Sequence, residues 1–379
     1  MTKSGLKSEM QDEGDVVEHD VDLALAQPML HPPASRYHGL RVRAVVDETH
    51  DAKSLLLDVP ADLADSFRYR SGQFLTLRLP LQGRHVPRCY SMSSTPAIDD
   101  TLRVTIKRVN GGRGSNWICD QVKAGDLLEV MPPAGVFTPR TLDGDFLLFA
   151  GGSGVTPVFS ILRAVLAGGS GRICLIYANR DERSVIFRDQ LNALAAAHPT
   201  RLQVIHWLDS VQGIPSVAQL AEFAAPWHQA QAFICGPTPF MDAAVAALQC
   251  TDIAPEKIHV ERFVSLPDEA DAGGATAAVT PAPVDGVEQA ELEISLDGAV
   301  HIIPCGGNET LLEAAVRAGL NTPNSCQAGM CGSCMCQVVD GKVHLRHNDV
   351  LDQKDLSKAW TLSCQAVPMS SRVRIKFPE

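Results

Sequence analysis

Three textures of hydrophobic and polar positions follow one another along the chain. Between residues 39 and 140 apolar residues come in short runs: Leu40–Val46, Ser54–Val59, Gln73–Leu79, Leu102–Arg108 and Leu127–Val130. Turn residues punctuate them at even intervals, which predicts an antiparallel β-barrel. From residue 145 the pattern changes. The apolar stretch DFLLFA precedes PVFSILRAVLA, RICLIYA precedes SVIFRDQLNALAAA, and AFIC precedes PFMDAAVAALQ. Strands alternating with Ala-rich helices predict an α/β domain with a parallel sheet covered on both faces. The last texture runs ELEISL, a turn, the helix TLLEAAVRAG, a cysteine-rich loop, CQVVDG and a closing VRIKF strand. That order is α+β.

Two segments carry no period. Residues 1–38 are polar and acidic and read as a disordered tail, while 266–290 are rich in Ala, Gly, Pro and acid and read as a flexible linker. The expected organisation is therefore multidomain: tail 1–38, barrel 39–141, α/β domain 142–265, linker 266–290 and C-terminal domain 291–379. The net charge of −11 is less informative than it looks. The tail carries −4 and the linker −5, so the rest of the chain is nearly neutral at −2. Nucleic-acid binding has no electrostatic footprint here. No run of eighteen apolar residues suggests a membrane span, and the N-terminus has no apolar signal core, so a cytoplasmic, monomeric protein is expected.

The strongest chemical signal lies in the C-terminal domain. Cys326, Cys331 and Cys334 fall within NSCQAGMCGSC, spaced Cys-x4-Cys-x2-Cys, and Cys364 follows after 29 residues. Plant-type [2Fe–2S] ferredoxins use this spacing, because two irons need four thiolates converging from one tight loop and one distant anchor. Gly329 and Gly332 sit between the ligands, where a wrapping backbone must visit positive φ. Zinc is the alternative, but it favours paired Cys-x2-Cys hooks, and the four cysteines contain one such pair. Eleven cysteines in all, an odd number, suit a reducing compartment better than a disulfide framework. Cys336 reads as a strand residue alternating outward from the loop, and Cys305 as surplus. Glu309, Glu313, Asp349, Asp352 and Asp355 make either an acidic docking face or a plain solvated one.

The barrel segment RCYSMSS (88–94), which follows the strand GQFLTLRL and a loop, is similar to the Arg-x-Tyr-Ser segment of flavin reductases in the ferredoxin-NADP reductase superfamily. That resemblance implies that Arg88 meets the flavin pyrophosphate, Tyr90 lies along the isoalloxazine ring, Ser91 offers a hydroxyl near its reactive edge, and Met92 follows at the cofactor. It also places Ile106 and Lys107 beside the ribityl chain and Gly114, Ser115, Asn116 and Trp117 at a phosphate-binding helix start. Without a ligand, Ser115 or Asn116 would be a helix N-cap. The run GGRGS resembles FMN-type dioxygenase reductases, whereas the Gly-x-Phe pair Gly135 and Phe137 resembles the FAD-binding relatives, and the resemblance favours FAD.

In the α/β domain the turn AGGSGVTP follows a strand and opens a helix, and Gly151, Gly152 and Gly154 let backbone approach a pyrophosphate. The resemblance puts Thr156 between flavin and nicotinamide. It puts Cys235, Gly236 and Pro237 by the nicotinamide, Asn179 and Arg180 at the adenosine end, and Phe263 on the outer flavin face. Asp181 and Glu182 would repel a 2′-phosphate, whereas Arg180, Arg183 and Arg188 could hold one; NADH is expected over NADPH. Ser91, Thr156 and Cys235 are the expected catalytic residues. The C-terminal ninety residues resemble the β-grasp fold of ferredoxins.

Taken together, these stretches, with NDVLDQKDLSKAWTLSCQ after the cluster, resemble the family of reductase components of 3-ketosteroid 9α-hydroxylases, from about residue 40 to the end. The resemblance implies electrons passing from NADH to FAD to a [2Fe–2S] cluster and on to a separate terminal oxygenase, a Rieske-type non-haem iron enzyme acting on steroids. Phenylacetyl-CoA and aromatic-ring oxygenase reductases share the architecture. A redox-sensing or electron-carrier module without its own NADH oxidation is the reading of another class.

Overall fold

The computed structural model describes residues 37–263 and 287–378, apart from Ala97, Ser325, Cys326, Ala328, Met330, Cys331, Asp349 and Asp352. The tail to residue 36, and the linker as far as residue 286, lie outside the described residues. Ordered strands begin earlier than the sequence boundaries suggest, at His38 and at Gln289.

The first domain is a six-stranded antiparallel sheet. It comprises β1 (His38–Thr49), β2 (Ala52–Asp58), β3 (Phe74–Leu81), β4 (Arg84–Ser91), β5 (Leu102–Lys107) and β6 (Leu127–Val130), in the order β4-β3-β6-β1-β2-β5. It closes on itself where Met92 bridges Val104 and the Ser93 and Ser94 amides donate to Arg103 O. The pattern reading missed β4, which carries RCYS, because Pro87 interrupts the run. Here β4 is the terminal strand of the order, where a missing amide is tolerated. It is set in place by a two-residue hairpin at Gln82 and Gly83, with φ of 51° and 76°. Helix α1 (Arg113–Gln121) packs across β3 and β5.

The second domain has five parallel strands: β7 (Phe146–Gly151), β8 (Ile173–Asn179), β9 (Leu202–Leu208), β10 (Gln231–Cys235) and β11 (Ile258–Glu261), ordered β11-β10-β7-β8-β9. Helices α2 (Val155–Gly168) and α3 (Arg188–Ala197) cover one face. Beyond the short α4 (Asp209–Gln212), α5 (Val217–Ala224) and α6 (Thr238–Gln249) cover the other. Along β7, Phe146, Leu148 and Ala150 enter one core and Leu147 and Phe149 the other, which is why DFLLFA is apolar without alternation. Helix α3 starts at Arg188, four residues later than the pattern suggested. Phe187 before it takes φ of 60° and goes, with Val185 and Ile186, into the core.

Barrel and α/β domain are stitched together. The Thr95 hydroxyl donates to Ser160 O (3.2 Å), the Ser160 hydroxyl to Ser94 O (2.5 Å), and Arg163 forks onto Asp99 at 2.5 and 2.9 Å.

The third domain contains β12 (Gln289–Leu296), β13 (Ala299–Gly306), β14 (Met335–Asp340), β16 (Trp360–Leu362) and β18 (Arg372–Lys376) in the order β13-β12-β18-β14-β16. Only the β12–β18 pair is parallel. Helix α7 (Leu311–Arg317) packs on the sheet, a ribbon of β15 (Val343–Leu345) and β17 (Ala366–Pro368) stands beside it, and α8 (Gln353–Ser357) precedes β16. This is the β-grasp arrangement. Among the described residues, no helix is long and apolar enough to cross a membrane.

Candidate functional site: a flavin cradle, a nicotinamide switch point and a cysteine loop

The flavin cradle forms around β4. Arg88 and Tyr90, two apart, share one face of the strand. Gly114 brings the start of α1 against Arg88: a Cβ at Gly114 would lie 3.1 Å from the Arg88 Cγ. A guanidinium and a helix N-terminus therefore meet at one spot, which suits a pyrophosphate. The N-cap of α1 is Gly112, and no side-chain hydrogen bond caps the helix.

This corrects the N-cap reading of Ser115 and Asn116. Both lie inside the first turn and fasten the preceding loop: Ser115 Oγ accepts from Val109 N–H (3.1 Å), and Asn116 Nδ2 donates to Val109 O (3.2 Å). Trp117 and Tyr90 pack against the barrel core, and burial pushes the Tyr90 hydroxyl pKa up. Met92 and Ile106 fill that core and are fully enclosed, which does not fit the expectation that their side chains meet the cofactor. Phe137 sits in the α/β-domain core, edge-on to Phe233 at 5.2 Å, and packs the domain boundary. Gly135, with φ of 112°, lies against the Phe74 ring.

The second part of the site is the topological switch point of the parallel sheet. From β7 the chain steps outward through β8 and β9, then returns to place β10 on the other flank of β7. Ligands bind at the carboxyl ends of strands where the order reverses. Here Ala150 and Cys235 are register partners, and the glycine turn meets the Cys-Gly-Pro turn. A Cβ on Gly154 would lie 2.1 Å from Cys235 O, and one on Gly236 would lie 2.9 Å from Gly151 Cα. Pro237 closes the same contact, 2.7 Å from where a Gly151 Cβ would be. Helix α2 has no side-chain cap, and Thr156 Oγ1 donates to Ser153 O (3.0 Å). Gly152 O accepts from the Tyr177 hydroxyl at 3.2 Å.

A third element, unmarked by the sequence pattern, completes the switch point. Glu261 ends β11 beside Cys235, and its Oε2 accepts from Ser91 Oγ at 3.1 Å. The residue as a whole is half-buried, but its carboxyl end is deeply enclosed. Burial pushes its pKa up to about 8, with the Ser91 hydrogen bond pulling the other way. Cys235 is fully buried, and its thiol is pushed well above the ordinary range by burial and then by Glu261. Ser91, Glu261 and Cys235 thus join the barrel to the sheet. The available signal was the glutamate closing an apolar strand in HVERF. Phe263, two residues on, is exposed, with nearly half of its surface open to solvent.

At the end of β8, Asn179 is buried and neither of its amide atoms has a hydrogen-bond partner. The neighbouring Tyr177 hydroxyl donates to Gly152 O and accepts from the Ile186 amide. Orphaned amide atoms at a strand's carboxyl end fit a nucleotide ligand. Asp181 Oδ1 accepts from both Ser184 N–H (3.0 Å) and Ser184 Oγ (2.8 Å), and Arg188 pairs with Asp189 at 3.2 Å.

In the cysteine loop, Cys334 and Cys364 are both buried with sulfurs 3.2 Å apart. Cys326 and Cys331 lie outside the described residues. Gly329 and Gly332 take φ of 75° and 72°, as the wrapping backbone requires. A Cβ at Gly329 would stand 2.7 Å from His347 O. Cys336 does not point outward: it is fully buried in the sheet core, as is Cys305, whose thiol burial pushes up to about 12. Glu309 is tied to Arg317 at 2.8 Å, and Glu313 forms a capping box with Thr310, so both have structural work. Asp349 and Asp352 lie outside the described residues.

The chain matches three family models. They are an oxidoreductase FAD-binding domain over residues 40–138, an oxidoreductase NAD-binding domain over 148–246 and a 2Fe-2S iron-sulfur cluster binding domain over 294–369. The last removes the zinc alternative. A 3-ketosteroid-9-alpha-monooxygenase ferredoxin reductase component of Rhodococcus rhodochrous is 48% identical, covering 91% of this chain and 98% of that one. A 1,2-phenylacetyl-CoA epoxidase component of Escherichia coli K12 is 33% identical, over 90% and 98%. Among solved structures, phthalate dioxygenase reductase has the same fold, with a TM-score of 0.57 at 22% identity over 90% of this chain and 98% of that one. With three cofactor domains in this order and relatives matching end to end, the chain belongs to the family of FAD- and [2Fe–2S]-containing reductase components of monooxygenases.

Proposed function

We propose that this reductase takes electrons from NADH in the cytoplasm and delivers them to a Rieske-type non-haem iron oxygenase that hydroxylates 3-ketosteroids. The observation carrying the reading is the convergence of Ser91, Glu261 and Cys235 with two glycine turns at the switch point. When bound, FAD accepts a hydride's electron pair and releases electrons singly, and the cluster takes them one at a time.

The chain's own residues do the rest. Arg88 and the α1 N-terminus hold the flavin pyrophosphate, and the amides of the Gly151–Gly154 turn hold that of the coenzyme. Glu261, largely protonated below pH about 8 and hydrogen-bonded to Ser91 Oγ, is placed to exchange protons there; a hydride brings its own hydrogen, which has to leave as a proton once the electrons have moved on singly. Cys235, neutral and buried, shapes the nicotinamide wall without adding charge. Cys326, Cys331, Cys334 and Cys364 hold the cluster.

The steroid assignment rests on the similarity gradient, 48% identity to the ketosteroid reductase against 33% to the phenylacetyl-CoA epoxidase component. The test is reconstitution: holoprotein, NADH and a purified 3-ketosteroid 9α-oxygenase should produce 9α-hydroxylated steroid. Reduction of the cluster by NADH without steroid turnover, alongside turnover with a phenylacetyl-CoA or aromatic-ring oxygenase, would reassign the partner. Absence of any NADH-driven cluster reduction would favour a redox-sensing module.

A further inference from the structure

The turn between β1 and β2 places one carboxylate where two cations from different domains meet. Asp51 is anchored by its own turn, with Oδ1 accepting from the Thr49 hydroxyl at 2.8 Å and its carbonyl accepting from Arg108 N–H at 2.7 Å. Its Oδ2 then lies 3.8 Å from Lys107 Nζ, at the end of β5, and 3.6 Å from Arg180 Nη2, just beyond β8. His50 Nε2 stands 3.8 Å from the same oxygen. The Asp51 and Lys107 side chains keep only 17% and 19% of their surface exposed, so this pairing is screened less than a surface one.

Arg180 is engaged from both sides. Asp51 of the barrel approaches Nη2, Asp181 of the α/β domain approaches Nε at 3.4 Å, and Ser184 Oγ accepts from Nη2 at 3.2 Å. Lys107 in turn faces the glycine turn, its ammonium 3.9 Å from where a Cβ on Gly152 would be.

We infer that Asp51 is a specificity-determining residue for the coenzyme: it acts as a fixed counter-anion that occupies Arg180, so that this guanidinium is not available to a 2′-phosphate. The assignment rests on the reading that Asn179–Ser184 meets the adenosine end of the coenzyme. A 2′-phosphate brings close to two negative charges. To gain Arg180 it must draw the fork away from two carboxylates and remain beside them. A 2′-hydroxyl demands no such exchange. The choice between NADH and NADPH is thereby set partly from the flavin barrel, across the domain boundary, and not by the nucleotide domain alone. Lys107, held by the same oxygen, faces the pyrophosphate turn, which both coenzymes share.

The test compares Asp51→Asn, Asp181→Asn and Asp51→Asn/Arg180→Ala in the FAD-loaded full chain. Asparagine can still accept the Thr49 bond, which protects the turn. Calorimetry measures binding of 5′-AMP and adenosine 2′,5′-bisphosphate, and dye reduction gives specificity constants for NADH and NADPH. Asp51→Asn should raise the affinity for the bisphosphate relative to 5′-AMP at least about tenfold, a step of about 1.4 kcal/mol. The NADH-to-NADPH ratio of specificity constants should fall to match, and adding Arg180→Ala should erase the gain. An unchanged ratio in Asp51→Asn with a shifted one in Asp181→Asn would overturn the role of Asp51 while leaving the adenosine reading intact. A gain that survives Arg180→Ala would also overturn it. If none of the three variants moves binding of either nucleotide, the adenosine reading itself fails, and the proposal with it.

Discussion

The switch point and the cysteine loop lie in different cofactor domains, and they are built by contrasting means. At the switch point most of the work falls to absent side chains. Gly151, Gly154 and Gly236 allow two turns to touch, and a single methyl at Gly154 would collide with Cys235 O at 2.1 Å. At the cysteine loop the work falls to side chains that are present, with Cys334 and Cys364 brought to 3.2 Å and glycines serving only the bend. A site made of close backbone approach tolerates little change in shape. A site made of ligands tolerates little change in chemistry.

Substitutions sharpen that contrast. The largest effect is expected for Cys334→Ser, which should eliminate the cluster's visible absorbance and all electron delivery to an oxygenase. NADH-driven reduction of a dye by the flavin should persist. If dye reduction falls with the cluster, the two sites are not independent.

Gly154→Ala should do the reverse, keeping iron and sulfide while lowering NADH-driven dye reduction roughly 100-fold, the usual penalty for displacing reacting groups by about an ångström. The displaced backbone should also cost about 1–3 kcal/mol of stability in denaturant titration. Wild-type rates in this variant would mean that the turns need not touch.

Glu261→Gln probes the side chain that the switch point does use. Single-electron re-oxidation of the reduced flavin in stopped flow should slow by on the order of tenfold and lose its pH dependence near pH 8. Folding raises this carboxyl's pKa, so the folded state binds the proton more tightly than the unfolded one. Its stabilisation is therefore complete below the unfolded value near 4.5 and declines as pH rises to about 8. The glutamine variant should flatten that slope in denaturation midpoints, and an unchanged slope would assign it to another group. The smallest effect belongs to Cys336→Ser: a hydroxyl in the sheet core should cost about 1–3 kcal/mol, with iron content unaltered. Loss of iron there would make Cys336 part of the ligand set.

The same contrast explains what could be read from the chain. Thiolate spacing is local, so a [2Fe–2S] cluster was legible from NSCQAGMCGSC and Cys364, with zinc as the alternative that the 2Fe-2S family model removed. Motifs that follow a strand and open a helix were legible too, which is why Gly151–Gly154 and Cys235–Pro237 landed together at the switch point. Three things were not. β4 was hidden by Pro87, whose tolerance depends on that strand being terminal in the order. Cys336 was assigned the wrong face because strand alternation fixes two faces without saying which is inward. Glu261 and Asp51 looked like ordinary acids; their significance comes from Ser91 and Arg180, 170 and 129 positions away in the chain. Contacts of that range follow from domain packing, which no local pattern encodes.

The central claim is that one chain converts the paired electrons of NADH into single ones. Anaerobic titration of the holoprotein with NADH, followed at the flavin and cluster absorbances, tests it most directly. The account predicts that both chromophores bleach and that about 1.5 NADH per chain are consumed, from one two-electron and one one-electron centre. Bleaching of the flavin while the cluster stays oxidised, yet remains reducible by dithionite, would contradict it.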